Sequence, residues 1–312
     1  MSLGARLFLG WIGVAACAIA PALAGSAPAY LASWGSSGSA PGQFNTPFGI
    51  AVDNGYVYVA DQHNERVQKF TTGGTFVAQW PTGPIDDPTG IAVGPTGVVY
   101  VSLHHTHLVR MYSTTGILLG TIGSPGSAPG QFLYPVGIAT DVFGNVYVAD
   151  SGNNRVEKFT AGGALLMAWG GLNNPYGIAV NGAGTVYVSD RNDSQIHLFS
   201  SSGSPLSAWG VPGDGQVVFL NGLDFDALGS VYVIDSGLNN RVQLFSSGGS
   251  LLTSWGTSGA GAGQFQGPAD IAVEGGGNVY VTDYNNNRIE VFGAGSTPTG
   301  MRTWGHLKAT YR

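Results

Sequence analysis

The hydrophobic positions fall in short runs, not in long stretches or helical stripes. Val-Tyr-Val occurs six times, centred on Tyr58, Tyr100, Tyr147, Tyr187, Tyr232 and Tyr280, at spacings of 42, 47, 40, 45 and 48 residues. Each copy is accompanied by three further runs of four to six residues. In the first copy these are Gly49 to Val52, Arg66 to Phe70 and Phe76 to Trp80, bounded by Gly, Asn, Asp or Ser. Runs of this length, rich in Val, Tyr, Phe and Ile, predict strands. No apolar stripe of helical period lies between them.

Four strands repeating every 40 to 48 residues predict an all-β, six-bladed β-propeller of four-stranded antiparallel blades over residues 25–293. Such a blade packs both faces against its neighbours, so its strands are apolar on both sides. The ring must also close. In five copies the third strand's aromatic end lies ten residues before the end of the fourth, as from Phe70 to Trp80. After Phe292 the next tryptophan, Trp304, is 12 away and Pro298 intervenes. Tyr30 to Gly35 reads as an orphan fourth strand, expected to complete the blade of residues 269–292 and remove its open edge.

Composition fits many tight turns around a real core. Glycine and proline take 51 and 16 of 312 positions, and 43% of the chain is hydrophobic, while only 10% is charged. The net charge of −6 excludes a general nucleic-acid binder, which needs a surplus of Lys and Arg to neutralise phosphate. Arg6, the apolar run Leu7 to Ala20, Pro21 and Ala22-Leu23-Ala24 predict a signal peptide over residues 1–24. The apolar run is shorter than the ~20 residues of a membrane span. A competing reading is a lipid anchor on Cys17, the single cysteine, through Val14-Ala15-Ala16-Cys17. The expected setting is therefore secreted or periplasmic. Residues 294–312 read as a Gly/Ser/Thr/Pro linker and a short basic tail, with Trp304, Leu307 and Tyr311 on one helical face.

Two polar positions recur. Asp61, Asp150, Asp190, Asp235 and Asp283 end the second strand, and Arg66, Arg155, Arg241 and Arg288 start the third. They face each other across one short turn. Blade two has Leu103 and Leu108 there, and blade four pairs Asp190 with Gln195. A charge pair repeated in four blades is expected to be a structural ion pair clasping the turn, since a catalytic role calls for one special copy.

The repeat resembles the NHL-repeat family. The matching residues are Gly42-Gln43-Phe44, Pro47 and Gly49-Ile50-Ala51-Val52, then Val148-Ala149-Asp150-Ser151-Gly152-Asn153-Asn154-Arg155-Val156. The resemblance implies a six-bladed propeller. The functions it implies scatter over protein binding, RNA binding, extracellular sensing and a peptide-amidating lyase that draws zinc-ligating histidines from separate blades. Fold alone does not choose among them.

The turn between strands two and three and the loop before strand one open on one face, here called the top. The long loops Gly35 to Phe44, Gly123 to Phe132, Gly210 to Phe219 and Gly256 to Phe265 lie there. Function concentrates on such loops. Residues entering strand one are expected to ring the channel mouth: Phe48, Thr89, Val136, Tyr176, Asn221 and Ala269. Asp270 replaces the usual Gly and Asp224 the usual Ala. An aromatic pair, an amide and two carboxylates suit a polar ligand or peptide. Histidine is the other signal. His104, His105 and His107 fall in the top turn of blade two, and His63 in that of blade one. With Asp86 or Asp87, three imidazoles there suit a divalent metal such as zinc. In this sequence the top-turn histidines are confined to blades one and two, and His197 lies inside a strand.

No phosphate loop, Gly-x-Ser-x-Gly elbow or EF-hand loop occurs. The reading is a monomeric, exported, non-enzymatic scaffold, without a cofactor, that binds a protein, peptide or glycan through its top face. The alternative is a metal-dependent lyase or hydrolase on His63, His105 and His107.

Overall fold

The computed structural model describes residues 27–210 and 219–293. The leader with Cys17, residues 211–218 of the loop Gly210 to Phe219, and the tail 294–312 lie outside the described residues. The fold is a six-bladed β-propeller of four-stranded antiparallel sheets. In blade one the strands are Pro47–Asp53, Tyr56–Asp61, Arg66–Thr71 and Phe76–Pro81, from the channel outward. The innermost strands of successive blades touch in a ring, and that of blade six, Pro268–Val273, meets that of blade one.

The Val-Tyr-Val run explains why the blades stack. Successive side chains of a strand point to opposite faces. Val57 and Val59 therefore pack with Tyr280, Ile289 and Val291 of blade six, while Tyr58 packs with Val99, Val101 and Tyr112 of blade two. The other blades repeat this division, so each of the six hydrophobic clusters joins two blades. Burying one such Val contributes about 1.5–3 kcal/mol. The tyrosine hydroxyl can reach past the apolar layer: Tyr100 donates to Ala161 O at 3.0 Å and Tyr280 to Thr72 O at 3.2 Å. Each crosses to a turn of the next blade.

Ala29–Trp34 pairs antiparallel with Arg288–Gly293 on the outside of blade six, with Trp34 opposite Ile289 and Tyr30 opposite Phe292. The Trp34 ring lies 4.4 Å from that of Phe70 and 6.0 Å from that of Phe44, both in blade one. Three top loops share one device. Phe44, Phe132 and Phe265 are fully buried plugs, each joined by an isolated bridge to the start of its loop. The glycine that opens such a loop is obligatory: at Gly123, φ is +82° and a Cβ would sit 2.4 Å from the Phe132 ring.

Candidate functional site

The repeated Asp and Arg are ion pairs, and they hold the top loops as well as the turn. Arg Nε meets Asp Oδ2 at 2.7 Å in Asp61–Arg66, 2.8 Å in Asp150–Arg155 and Asp283–Arg288, and 2.9 Å in Asp235–Arg241. In blades one, three and six the rest of the guanidinium caps the loop. Arg66 donates to the carbonyls of Ser39, Ala40 and Gln43, and Arg155 to those of Ser127, Ala128 and Gln131. Arg288 repeats this on Ala260, Gly261 and Gln264. The other carboxylate oxygen accepts a backbone N–H, that of Asn45, Leu133 or Gln266, at 2.7 Å. Burial pushes the Asp61, Asp150 and Asp283 carboxyls up, and these hydrogen bonds oppose it.

Blade two lacks this pair but has another. Arg110 Nη1 donates to the buried Asp86 at 2.8 Å, so the carboxylate comes from the loop and the guanidinium from the third strand. Asp86 is thereby held as a clamp. Asp87 meets His105 Nδ1 at 2.7 Å.

The channel is lined by the first strands, which approach one another closely. A Cβ at Gly49 would lie 2.1 Å from Thr89 O, and one at Gly90 2.2 Å from Val136 O. Gly137 and Gly177 repeat this approach. In alternate blades a hydroxyl bridges the seam: Ser102, Ser189 and Thr282 accept their own blade's backbone N–H and donate to Val136 O, Asn221 O and Phe48 O. Near the mouth Phe48, Thr89, Val136, Tyr176, Ala269 and Asp270 line one small cavity of about 30 Å³. Below it a space of about 170 Å³ is bordered by Asp224 and Asp270.

The two acids are tied to backbone. Asp270 Oδ2 accepts Ile50 N at 3.0 Å and Oδ1 accepts Ile271 N at 2.9 Å, while Asp224 Oδ2 accepts Val273 N at 2.8 Å. Burial pushes Asp270 up to about 7 and Asp224 to about 6, and the Asp224 charge adds to the rise at Asp270. The Thr89 hydroxyl is likewise engaged internally, 3.1 Å from Ser102 Oγ and 3.2 Å from Pro135 O.

A second ring surrounds the mouth: Gln62, His104, Ser151, Arg191, Ser236 and Tyr284, each one residue beyond the clamp position. Sequence reasoning weighed His104 as a metal signal and passed over the others. The signal was available as the residue after the recurrent Asp. Arg191 is the notable member. Its guanidinium carbon lies 3.3 Å from the centroid of the Tyr176 ring, and its nitrogens donate to Asn221 Oδ1 and to Leu220 O. Asn221 is in turn buried and donates to Pro268 O at 2.8 Å. Burial lowers the Arg191 pKa and pushes the Tyr176 hydroxyl up to about 12. The Phe48 ring lies 5.9 Å from those of both Tyr176 and Tyr284. Beside this cluster a cavity of about 410 Å³ is lined by His104, Tyr134, Val136, Ser151, Gly152, Asn174, Tyr176 and Arg191.

The proposed zinc triad does not assemble. His63 is exposed on blade one, His105 turns to Asp87, and His107 Nδ1 accepts the Tyr134 N–H at 2.9 Å. His104 and His107 instead flank the Tyr134 ring, at 5.0 and 4.6 Å. Among the described residues, the group of three side chains placed to hold a metal ion is Asp190, Asp193 and His197 in blade four.

The NHL repeat model matches residues 44–70, 132–159 and 265–292. These are blades one, three and six, the ones with both the Asp–Arg clamp and the Gly-Gln-Phe loop. The chain is similar to NHL repeat-containing protein 3 of Mus musculus, 32% identical over 132 residues, or 36% of this chain and 38% of that protein. The Homo sapiens protein of the same name is 32% identical over 135 residues, 37% and 38% of the two chains. The alignment thus spans under two fifths of these relatives' length. Among solved structures, streptogramin B lyase matches with a TM-score of 0.63 at 15% identity, covering 84% of this chain and 96% of that one. A putative gluconolactonase gives 0.62 at 17%, covering 85% and 94%. A chain of the nidogen/laminin complex gives 0.60 at 21%, covering 77% and 89%. At these identities the likeness is one of fold.

Proposed function

The chain belongs to the NHL-repeat family, and from that premise we propose that it is a rigid scaffold that binds a protein, peptide or glycan through its top face. One observation carries this: the 410 Å³ cavity is bordered by a guanidinium that has no carboxylate partner among the described residues. Elsewhere on this face every arginine of the clamps faces a carboxylate. Arg191 instead lies on an aromatic ring and is oriented by an amide oxygen. That arrangement holds a cation ready without neutralising it, and the matching ligand group is an anion such as a carboxylate. Tyr134 and Tyr176 add flat apolar surface for a peptide or sugar ring.

Binding without covalent chemistry is part of the proposal. The Ser151 hydroxyl in the cavity donates to Pro175 O, not to a histidine, so it lacks an adjacent base. Export is proposed from the leader over residues 1–24. The test is an array of carboxylate-bearing peptides and acidic glycans probed with wild type, Arg191→Ala and Tyr176→Ala. The expected loss is tenfold or more in both variants. Equal binding by all three proteins refutes the assignment.

A further inference from the structure

Blade four breaks the clamp in a way that its neighbours make legible. In blades one, three and six the buried Asp receives an Asn three residues on and an Arg five residues on: Asn64 and Arg66, Asn153 and Arg155, Asn286 and Arg288. Seven residues on stands Gln68, Glu157 or Glu290. Blade four keeps the Asp and changes all three. Asp193 replaces the Asn, Gln195 the Arg and His197 the Gln or Glu. The guanidinium has been removed, while a second carboxylate, which blade one lacks and blades three and six carry as Glu, stands as Asp193 beside a carboxylate that is still fully buried. Blade two also lost the repeat's pair, but Asp86 and Arg110 restore the balance there. Among the described residues nothing does so in blade four.

The three side chains converge. His197 Nε2 lies 3.7 Å from Asp193 Oδ2 and 4.0 Å from Asp190 Oδ2. These separations exceed a hydrogen bond. Asp190 Oδ1 and His197 Nε2 are both buried atoms without a hydrogen-bond partner, so a fully buried carboxylate and an imidazole nitrogen in one cluster each lack a donor or acceptor. Asp190 Oδ2 is anchored by Asn173 N at 2.5 Å, and Asp193 Oδ1 by Asn173 Nδ2 at 3.3 Å. A tetrahedral zinc ion with bonds of ~2.0–2.1 Å sets its ligand atoms about 3.3 Å apart. The two separations from His197 reach that spacing by closing less than an ångström, and all three ligand atoms lie within 4.8 Å of one another. Asp193 is partly exposed, which leaves a route in and a position for water.

We propose that Asp190, Asp193 and His197 form a divalent-cation site, with zinc as the fitting ion, that takes the place of the Arg clamp in blade four. An imidazole beside two carboxylates favours zinc over calcium, which prefers an all-oxygen shell. The site adjoins the proposed ligand-binding residue: Arg191 follows Asp190 directly, so the ion would fix the turn that carries it.

The test is calorimetric titration of untagged, chelator-treated full-length protein with zinc chloride, and in parallel with calcium chloride. The variants are Asp193→Asn and His197→Gln, which install residues already present at these positions in blade one and so preserve the fold. His105→Ala serves as the control. The expected result is one equivalent of zinc bound by wild type and by His105→Ala, with at least a tenfold loss of affinity in the other two variants. Zinc is also expected to raise the melting temperature of wild type and not of those variants. Absent zinc binding, tighter binding of calcium, or zinc binding unchanged in Asp193→Asn and His197→Gln would each overturn the proposal.

Discussion

Asp270 Oδ2 accepts the backbone N–H of Ile50 at 3.0 Å, tying the last blade of the ring to the first. In the other five blades the residue at this position is glycine, and the two backbones approach directly. The carboxylate thus acts as a spacer with two acceptors at one seam. Asp224 does the equivalent between blades five and six through Val273 N.

Asp270→Ala leaves two backbone N–H groups without that acceptor and is expected to cost about 1–3 kcal/mol in urea unfolding. Asp224→Asn removes a negative neighbour and should lower the Asp270 pKa from about 7, as followed by carboxyl-carbon NMR. An unchanged Asp270 titration would count against the two acids sharing one channel.

Glu157 and Glu290 are fully buried, and burial pushes both up to about 7. An acid whose folded pKa is raised holds its proton more tightly when folded. Its favourable contribution is complete below the unfolded value near 4.5 and is lost as pH rises to about 7. Glutamine at the same position in blade one, Gln68, accepts Gly42 N and donates to Asp61. Glu157→Gln and Glu290→Gln should therefore each stabilise the protein by about 1–3 kcal/mol at pH 8 and leave it little changed at pH 4. Melting curves across that range decide it. Destabilisation at pH 8 would mean that the contacts of Glu157 with Arg155, at 3.1 Å, and of Glu290 with Arg288, at 2.8 Å, outweigh burial.

Removing Arg155 strands a buried carboxylate and releases three loop carbonyls together. Arg155→Ala is expected to cost about 3–5 kcal/mol and to speed proteolysis within residues 124–131. A stability loss under 1 kcal/mol would mean that the loop holds itself.

We propose that Ala29–Trp34 closes the ring. Trp34 then does for blade six what Trp169 does for blade three. Trp34→Ala should cost about 3–5 kcal/mol, comparable with Trp169→Ala. A negligible effect at Trp34 alone would make the strand an accessory.

The architecture was legible because its determinants repeat. Alternation in Val57-Tyr58-Val59 reports two buried faces, and the Asp and Arg at fixed offsets report a clamp. What repeats poorly was hard to read. The Asp86–Arg110 pair draws on two positions that carry no charge pair in other blades. Arg191 sits in a column of unlike residues, Gln62, His104, Ser151, Ser236 and Tyr284, so only its place after the recurrent Asp marks it, not its residue type. Clustering in sequence also misled at the histidines. His107 adopts a left-handed conformation, φ +56°, and its ring turns to the Tyr134 backbone. The spacing of His104, His105 and His107 says nothing about where each nitrogen points. Asp190, Asp193 and His197 were each visible, but only the blade-to-blade comparison of a folded clamp shows what they replace.

The most direct measurement is the affinity of Arg191→Ala, relative to wild type, for ligands retrieved from carboxylate-bearing peptide and acidic glycan arrays. The account predicts a loss of tenfold or more, with Arg191→Lys recovering only part because the planar stack on Tyr176 is gone. Retrieved ligands that bind Arg191→Ala as tightly as wild type would contradict it.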